Sequence, residues 1–325
     1  MWTQSAQVHP LLEYVRASHA TDRPLTIAGI DHTFVGSQHA AGWAEWFIAQ
    51  LDAAAPAALD AAARESLRTG FMQAMQAEMG NAAPAQAVAD AWRGLHGALD
   101  AHAAEIEKAH GTKRLAFLKR TLDDAIITAE WLVAQHEAHA KRGDRAAQER
   151  LSLRDERMGE NLVWLAEEEF EGRKIIVWLA SFHALYEISD VRSGIAMNYK
   201  GLVTAGEVAR ASLGDALYSI AITASTGSSG RVWEPKGRPL TRSPSNSLEG
   251  VCDGLEMPFA FVPLRGLPEE HWLRGRYSAR PLGYMPMQAK WAEQVDAFLY
   301  IREMFPAGMG EAKRDGETKG EEETK

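Results

Sequence analysis

His183 follows the run Ile175-Ile176-Val177-Trp178, within the stretch KIIVWLASFHALYE at 174–187. Successive β-branched and aromatic residues read as a buried strand. The C-terminal ends of such strands are where ligands and chemistry collect in open α/β sheets. His183 is therefore a candidate catalytic residue. Two more polar groups attach to predicted core elements. Asp31-His32 follows the short apolar run Pro24-Leu25-Thr26-Ile27-Ala28. Arg154-Asp155 lies on the helix leading to the 174–180 run, with Met158 and Asn161 on its face. Each group also has a plainer reading: Asp31 as a helix cap, Arg154-Asp155 as surface charges, His183 as a hydrogen-bonded loop histidine.

Other patterns carry less. The sequence has no Gly-x-Ser-x-Gly elbow, no phosphate-binding loop and no Gly-x-Gly-x-x-Gly. Gly227-Ser228-Ser229-Gly230 reads as a flexible loop. His136 and His139 are one residue too close for a zinc-protease helix and suggest no third ligand, so they read as a solvated helix surface. Cys252 has no catalytic partner in the pattern and reads as a structural thiol.

The elements that must position these groups are of two kinds. Residues 1–19 form an amphipathic helix carrying Val8, Leu11, Leu12 and Val15 on one face. From about residue 40 to 150 the chain is rich in Ala, Glu, Gln, Lys and Arg, with apolar residues at helical spacing (Leu115, Leu118, Leu122, Ile126). Breaks fall near Gly80, Gly111 and Gly143, and 147–170 and 205–213 add further helices. Strands are expected at 24–28, 174–180, 217–223 and 259–264, with a last one inside 291–303 after a short helix. The fold class is α/β: a mainly parallel sheet flanked by helices, with a long inserted helical hairpin block at about 40–150. Residues 1–307 form one domain, and 308–325, GMGEAKRDGETKGEEETK, read as a disordered charged tail.

The chain of 325 residues carries a net charge of −9, which argues against a general nucleic-acid-binding role. One cysteine excludes an intrachain disulfide and fits a reducing compartment. No apolar run approaches a membrane span and the N-terminus has no signal-peptide pattern, so a cytoplasmic protein is expected.

The ordered series Arg154-Asp155-Glu156-Arg157-Met158-Gly159-Glu160-Asn161-Leu162, a strand ending in Trp178, and TAGEVARASLGDALYSIAITASTGSSG at 204–230 resembles the erythromycin esterase family, which includes relatives named for succinoglycan biosynthesis. Ser247-Leu248-Glu249, His271-Trp272-Leu273, Arg280 to Gly283 and Val295 to Ile301 continue the likeness, as do Leu12 to Arg16 and Gly29-Ile30-Asp31. The resemblance implies an α/β hydrolase of ester or lactone bonds, best known on macrolides. It works without metal or cofactor, through a histidine that activates water and cationic groups that stabilise the oxyanion. On this reading His183, Arg154 and Asp155 are catalytic, and Asp31, His32, Asn161 and Glu249 bind substrate, a small ester or macrolide-like molecule. Two departures stand out. The family's Gly-Glu-x-x-His segment, bearing its proposed general base, is missing, and the chain is expected to begin after it. The family's Trp-Ala-His-Asn-x-His reads Trp178-Leu179-Ala180-Ser181-Phe182-His183 here, so only the last histidine remains. The alternative is a truncated or catalytically impaired relative that binds a ligand. Loss of the preceding strands also predicts an exposed sheet edge, and with it a homo-oligomer or a strand-supplying partner.

Overall fold

Helical spacing between 40 and 150 becomes, in the computed structural model, a helical body with its own core. The structure describes residues 5–33, 37–141, 144–193, 198–230, 234 and 236–308. The predicted charged tail lies outside them, apart from Gly308. The first half contains α1 (His9–Ser18), α2 (Ser37–Ala54), α3 (Ala61–Ala74), α4 (Ala83–Ala101), α5 (Ala103–His110), the long α6 (Thr112–Ala140), α7 (Arg145–Glu149) and α8 (Leu153–Trp164). Asp60 caps α3 by accepting the Ala63 N–H at 2.7 Å. Gly111, at φ +86°, makes the break between α5 and α6. Phe47, Leu51, Leu67, Trp92, Leu118 and Leu122 fill a closed core between these helices.

The second half contains α9 (Ser181–Ala184), β1 (Arg192–Ser193), α10 (Ala205–Leu213), β2 (Ile220–Ser229), β3 (Arg238–Pro239), α11 (Leu248–Gly254), β4 (Phe259–Pro263), β5 (Tyr277–Ala279), β6 (Met287–Ala289), α12 (Trp291–Gln294) and β7 (Ala297–Met304). One sheet runs β3-β2-β7-β4 and a smaller one β1-β6-β5. Among the strand pairs of the described residues, β2 and β7 are parallel and the others antiparallel. The orientation is therefore mixed, where the sequence suggested a mainly parallel sheet. Leu248, Tyr277, Met287, Trp291, Phe298 and Tyr300 form a second core against one face of the larger sheet.

Two expected strands are absent. Residues 24–30 and 174–180 belong to no helix or strand, and most of their side chains are exposed, Ile27 at 67% and Ile176 at 97%. Their composition favours a strand, but a strand exists only where a neighbour supplies a ladder. The predicted strand at 217–223 begins later, at Ile220, and continues to Ser229, through residues read as a flexible loop. No helix among the described residues is long and apolar enough to cross a membrane.

Candidate active site

α9 is a single turn, entered at Ala180 and closed by the His183 N–H donating to the Ala180 carbonyl at 3.0 Å. The sheet holds it in place. The Ser219 hydroxyl donates to the Ala184 carbonyl at 2.8 Å, and the Tyr186 N–H to the Gln294 carbonyl at 2.9 Å. The Tyr186 hydroxyl is bonded to Asp296, a carboxylate that also takes Arg265 Nε at 2.6 Å and the Ser219 N–H at 2.7 Å. This network ties the loop after residue 180 to the beginning of β2.

Two glycines then let the helices close. A Cβ at Gly159 of α8 would stand 2.5 Å from Val208 Cβ, and one at Gly206 of α10 would stand 2.5 Å from the Leu185 carbonyl oxygen. α8 can therefore close on Val208 of α10, and α10 on the backbone at the end of α9. Asp155, on the closed side of α8, is 6% exposed. Its Oδ1 lies 2.6 Å from His183 Nδ1 and accepts the Ala205 N–H at 3.2 Å. A carboxylate so placed fixes the imidazole with Nδ1–H towards Asp155 and leaves Nε2 as the proton-accepting atom.

The pair opens onto a cavity of about 870 Å³ shared by α6, α8, α9 and the segment before α10. Trp131, Leu151, Phe182, Leu202 and Val203 provide apolar wall; Arg154, Gln135, His136 and His139 provide polar groups. His136 and His139 thus line the same cavity as His183, although the sequence placed them on a solvated surface. Their three-residue spacing gave them one face of α6; only the packing of α7, α8 and the 150–152 turn between them against α6 turns that face inward. No group of three or more metal-ligating side chains occurs among the described residues.

The other sequence-predicted residues make their bonds elsewhere, and of them only Arg154 lines the cavity. Asp31 receives Arg154 Nε at 3.1 Å and Nη2 at 2.5 Å. Burial acts to raise the Asp31 carboxyl, but the Arg154 bonds and charge, with those from Thr33, outweigh it and hold the group below its ordinary value. The guanidinium also lies over the Trp131 ring, 5.5 Å from its centroid. Arg154 is thereby aimed along the cavity wall with Nη1 outside the clamp. His32 is buried beside it, with Nδ1 2.9 Å from the Thr128 hydroxyl; burial lowers its pKa to about 4. Asn161 is engaged on both ends, accepting Arg120 Nε at 2.8 Å and donating to the Ile30 carbonyl and to Asp124 at 3.1 Å. It borders a second, smaller cavity behind residues 26–29. Glu249 lies in the sheet core, fully buried, accepting from the Thr223 hydroxyl at 2.6 Å and the Arg280 N–H at 2.8 Å. It does not line the large cavity. Cys252 is buried next to it, and burial, then the Glu249 charge, push its thiol upward.

A sequence model of the erythromycin esterase family matches residues 1–304. The protein YbfO of Bacillus subtilis (strain 168), provisionally named a hydrolase, is 26% identical over 161 residues, 48% of this chain and 35% of YbfO. The match therefore spans about a third of that relative's length. A crystal structure of a Bacillus cereus protein superposes with a TM-score of 0.73 at 14% identity, covering 94% of this chain and 74% of its own. A single-residue variant of erythromycin esterase EreC in its open conformation gives 0.60, also at 14%, over 92% of this chain and 72% of its own. Identities this low speak to the shared fold.

Proposed function

The chain belongs to the erythromycin esterase family, and we propose that it is a hydrolase that opens an ester or lactone bond with water activated by His183. The observation that carries this reading is the His183–Asp155 pair facing a cavity of about 870 Å³, a volume that suits a large organic substrate. Water hydrogen-bonded to Nε2 gives up a proton to the imidazole as its oxygen adds to the substrate carbonyl. Asp155 stabilises the imidazolium that results. Arg154 Nη1 and the His136 and His139 side chains are the donors available for the tetrahedral oxyanion. Collapse breaks the C–O bond, and the imidazolium returns its proton to the departing alkoxide, giving acid and alcohol without a metal-bound hydroxide. The apolar wall favours a macrolide-like lactone over a small charged ester, and a role in macrolide resistance follows from that substrate. We place the protein in the cytoplasm, where its single buried thiol stays reduced.

A second reading has its own support. Arg154 is held in a two-bond clamp by Asp31, and Ala180 and Ser181 stand where the family sequence has a histidine and an asparagine. A cavity so equipped binds a macrolide-like ligand without turning it over. Hydrolysis of a 14-membered macrolide lactone and of a p-nitrophenyl ester separates the two. Turnover by the chain that falls about 10²- to 10⁴-fold in His183→Ala supports hydrolysis. Turnover indifferent to that substitution sinks the mechanism, and saturable binding without product supports the second reading.

A further inference from the structure

The segment that enters α10 grips both elements that carry the dyad, through consecutive residues. The Val203 N–H donates to the Ser152 hydroxyl at 2.9 Å, just ahead of α8, and the Ala205 N–H donates to Asp155 Oδ1 at 3.2 Å, within it. Between them, Thr204 turns the other way. Its hydroxyl donates to the Leu185 carbonyl at 2.5 Å, at the exit of α9. The same oxygen caps α10 by accepting the Glu207 N–H at 3.2 Å. Thr204 and Ser152 are 0% and 3% exposed, so water does not replace these bonds, and a polar group left unpaired there carries its full desolvation cost. A carboxylate at 204 would cap α10 equally well, but it has no proton for Leu185; a hydroxyl does both. Leu185 follows His183-Ala184 directly, and α10 packs on both α8 and α9. Where α10 begins therefore sets how the Asp155 carboxylate and the His183 ring stand to each other.

We propose that Thr204 is a positioning residue for the dyad: its buried hydroxyl ties the exit of α9 to the start of α10, and so holds His183 against Asp155. It does this without lining the cavity itself. The effect on rate rests on the reading of His183–Asp155 as the pair that activates water, while the geometry can be read without any turnover. A general base displaced by about 1 Å loses on the order of 100-fold in rate. The substrate walls on α6, Trp131, His136 and His139, are not reached by this hydroxyl. Loss of the hydroxyl is therefore felt in the chemical step rather than in binding. Val203, held by Ser152, is the second point of the same grip and also forms cavity wall.

The test compares Thr204→Val, Thr204→Ser and Ser152→Ala in the full chain with nitrogen-15-labelled histidine. Valine keeps the shape of threonine and removes the hydroxyl; serine restores it. The Nδ1 proton of His183, in a charge-assisted bond of 2.6 Å to Asp155, is followed by its low-field resonance, assigned by its loss in His183→Ala. In Thr204→Val this proton is expected to exchange with water about tenfold faster. The kcat for a p-nitrophenyl ester falls on the order of 10- to 100-fold with KM near the parent value. Thr204→Ser recovers both. Ser152→Ala, which releases only Val203, shows the same changes in smaller degree and decides the matter if Thr204→Val does not fold. Parent exchange and parent kcat in a folded Thr204→Val overturn the proposal, as does a Thr204→Ser that behaves like the valine variant, or parent exchange in Ser152→Ala where valine is not tolerated. If the resonance responds as expected while His183→Ala leaves turnover unchanged, the positioning role stands and the hydrolytic reading fails.

Discussion

The helical body and the larger sheet are built from similarly apolar sequence, yet only the first is closed. In the bundle, Trp92 is 1% exposed; its ring packs on Gly70, its Nε1–H donates to the Ser66 carbonyl at 3.3 Å, and the Trp43 ring lies 5.9 Å away. In the sheet, Phe259 and Phe261 alternate with half-buried neighbours and face outwards. A side chain of that size gains about 1.5–3 kcal/mol when it leaves water, and on the bare face that gain is not taken. Helices satisfy their own backbones and bury a stripe against neighbours close in sequence, whereas a strand depends on partners that the sequence places far away.

The sharpest break of this comparison is Trp92→Ala. Truncating a buried tryptophan under such close packing costs about 3–5 kcal/mol, read as a fall in the urea midpoint. A loss under about 1 kcal/mol would mean that the bundle core is as open as the sheet face.

His32 belongs to the closed side of the comparison: it follows the bare 24–30 segment, but its ring is buried against α6 at Thr128. Its Nε2 has no hydrogen-bond partner among the described residues. Burial lowers its pKa from 6.5 to about 4, so between those values the unfolded chain takes up the proton more readily than the folded one. The stabilisation is fully present above pH 6.5 and is lost as pH falls towards 4, by roughly 3 kcal/mol in all. His32→Gln should flatten that part of the stability curve relative to the parent chain. An unchanged slope would show that the ring is not held neutral in the fold.

These features differ in how far the sequence alone discloses them. Residues 40–150 are readable because a period of 3.6 is local, and the breaks at Gly80 and Gly111 fall where helices end. Ile175 to Trp178 and Leu25 to Ala28 carry strand composition correctly, but composition does not say whether a neighbour exists. The Met158-Gly159 and Ala205-Gly206 pairs were legible as parts of a family pattern; their physical reason, the close crossing of α8, α9 and α10, appears only once the helices are packed. The entry of His136 and His139 into the cavity likewise depends on tertiary packing, of α7, α8 and the 150–152 turn against α6, which is why spacing along α6 left them as surface residues. Gly206→Ala tests the crossing directly. The added methyl has to displace the Leu185 carbonyl, at a cost of about 1–3 kcal/mol, and should weaken the His183–Asp155 bond. The expected signature is a reduced kcat in the ester assay with little change in KM; parent kinetics would mean that the dyad does not rely on this contact.

The smallest expected effect is the most telling about the bare face. Ala221 and Ile222 are neighbours on β2, one fully buried against the core and the other half exposed, in an apolar strip with Leu299 of β7 and Phe261 of β4. A carboxylate at Ala221 would lose its water with no cation to meet it, and Ala221→Asp should prevent folding. The same carboxylate at Ile222 would remain hydrated in the isolated chain, so Ile222→Asp should change stability by no more than about 0.5 kcal/mol and reduce self-association in sedimentation. If Ile222→Asp instead destabilises the monomer by several kcal/mol, the strip is packed within a single chain and the contrast between bundle and sheet fails.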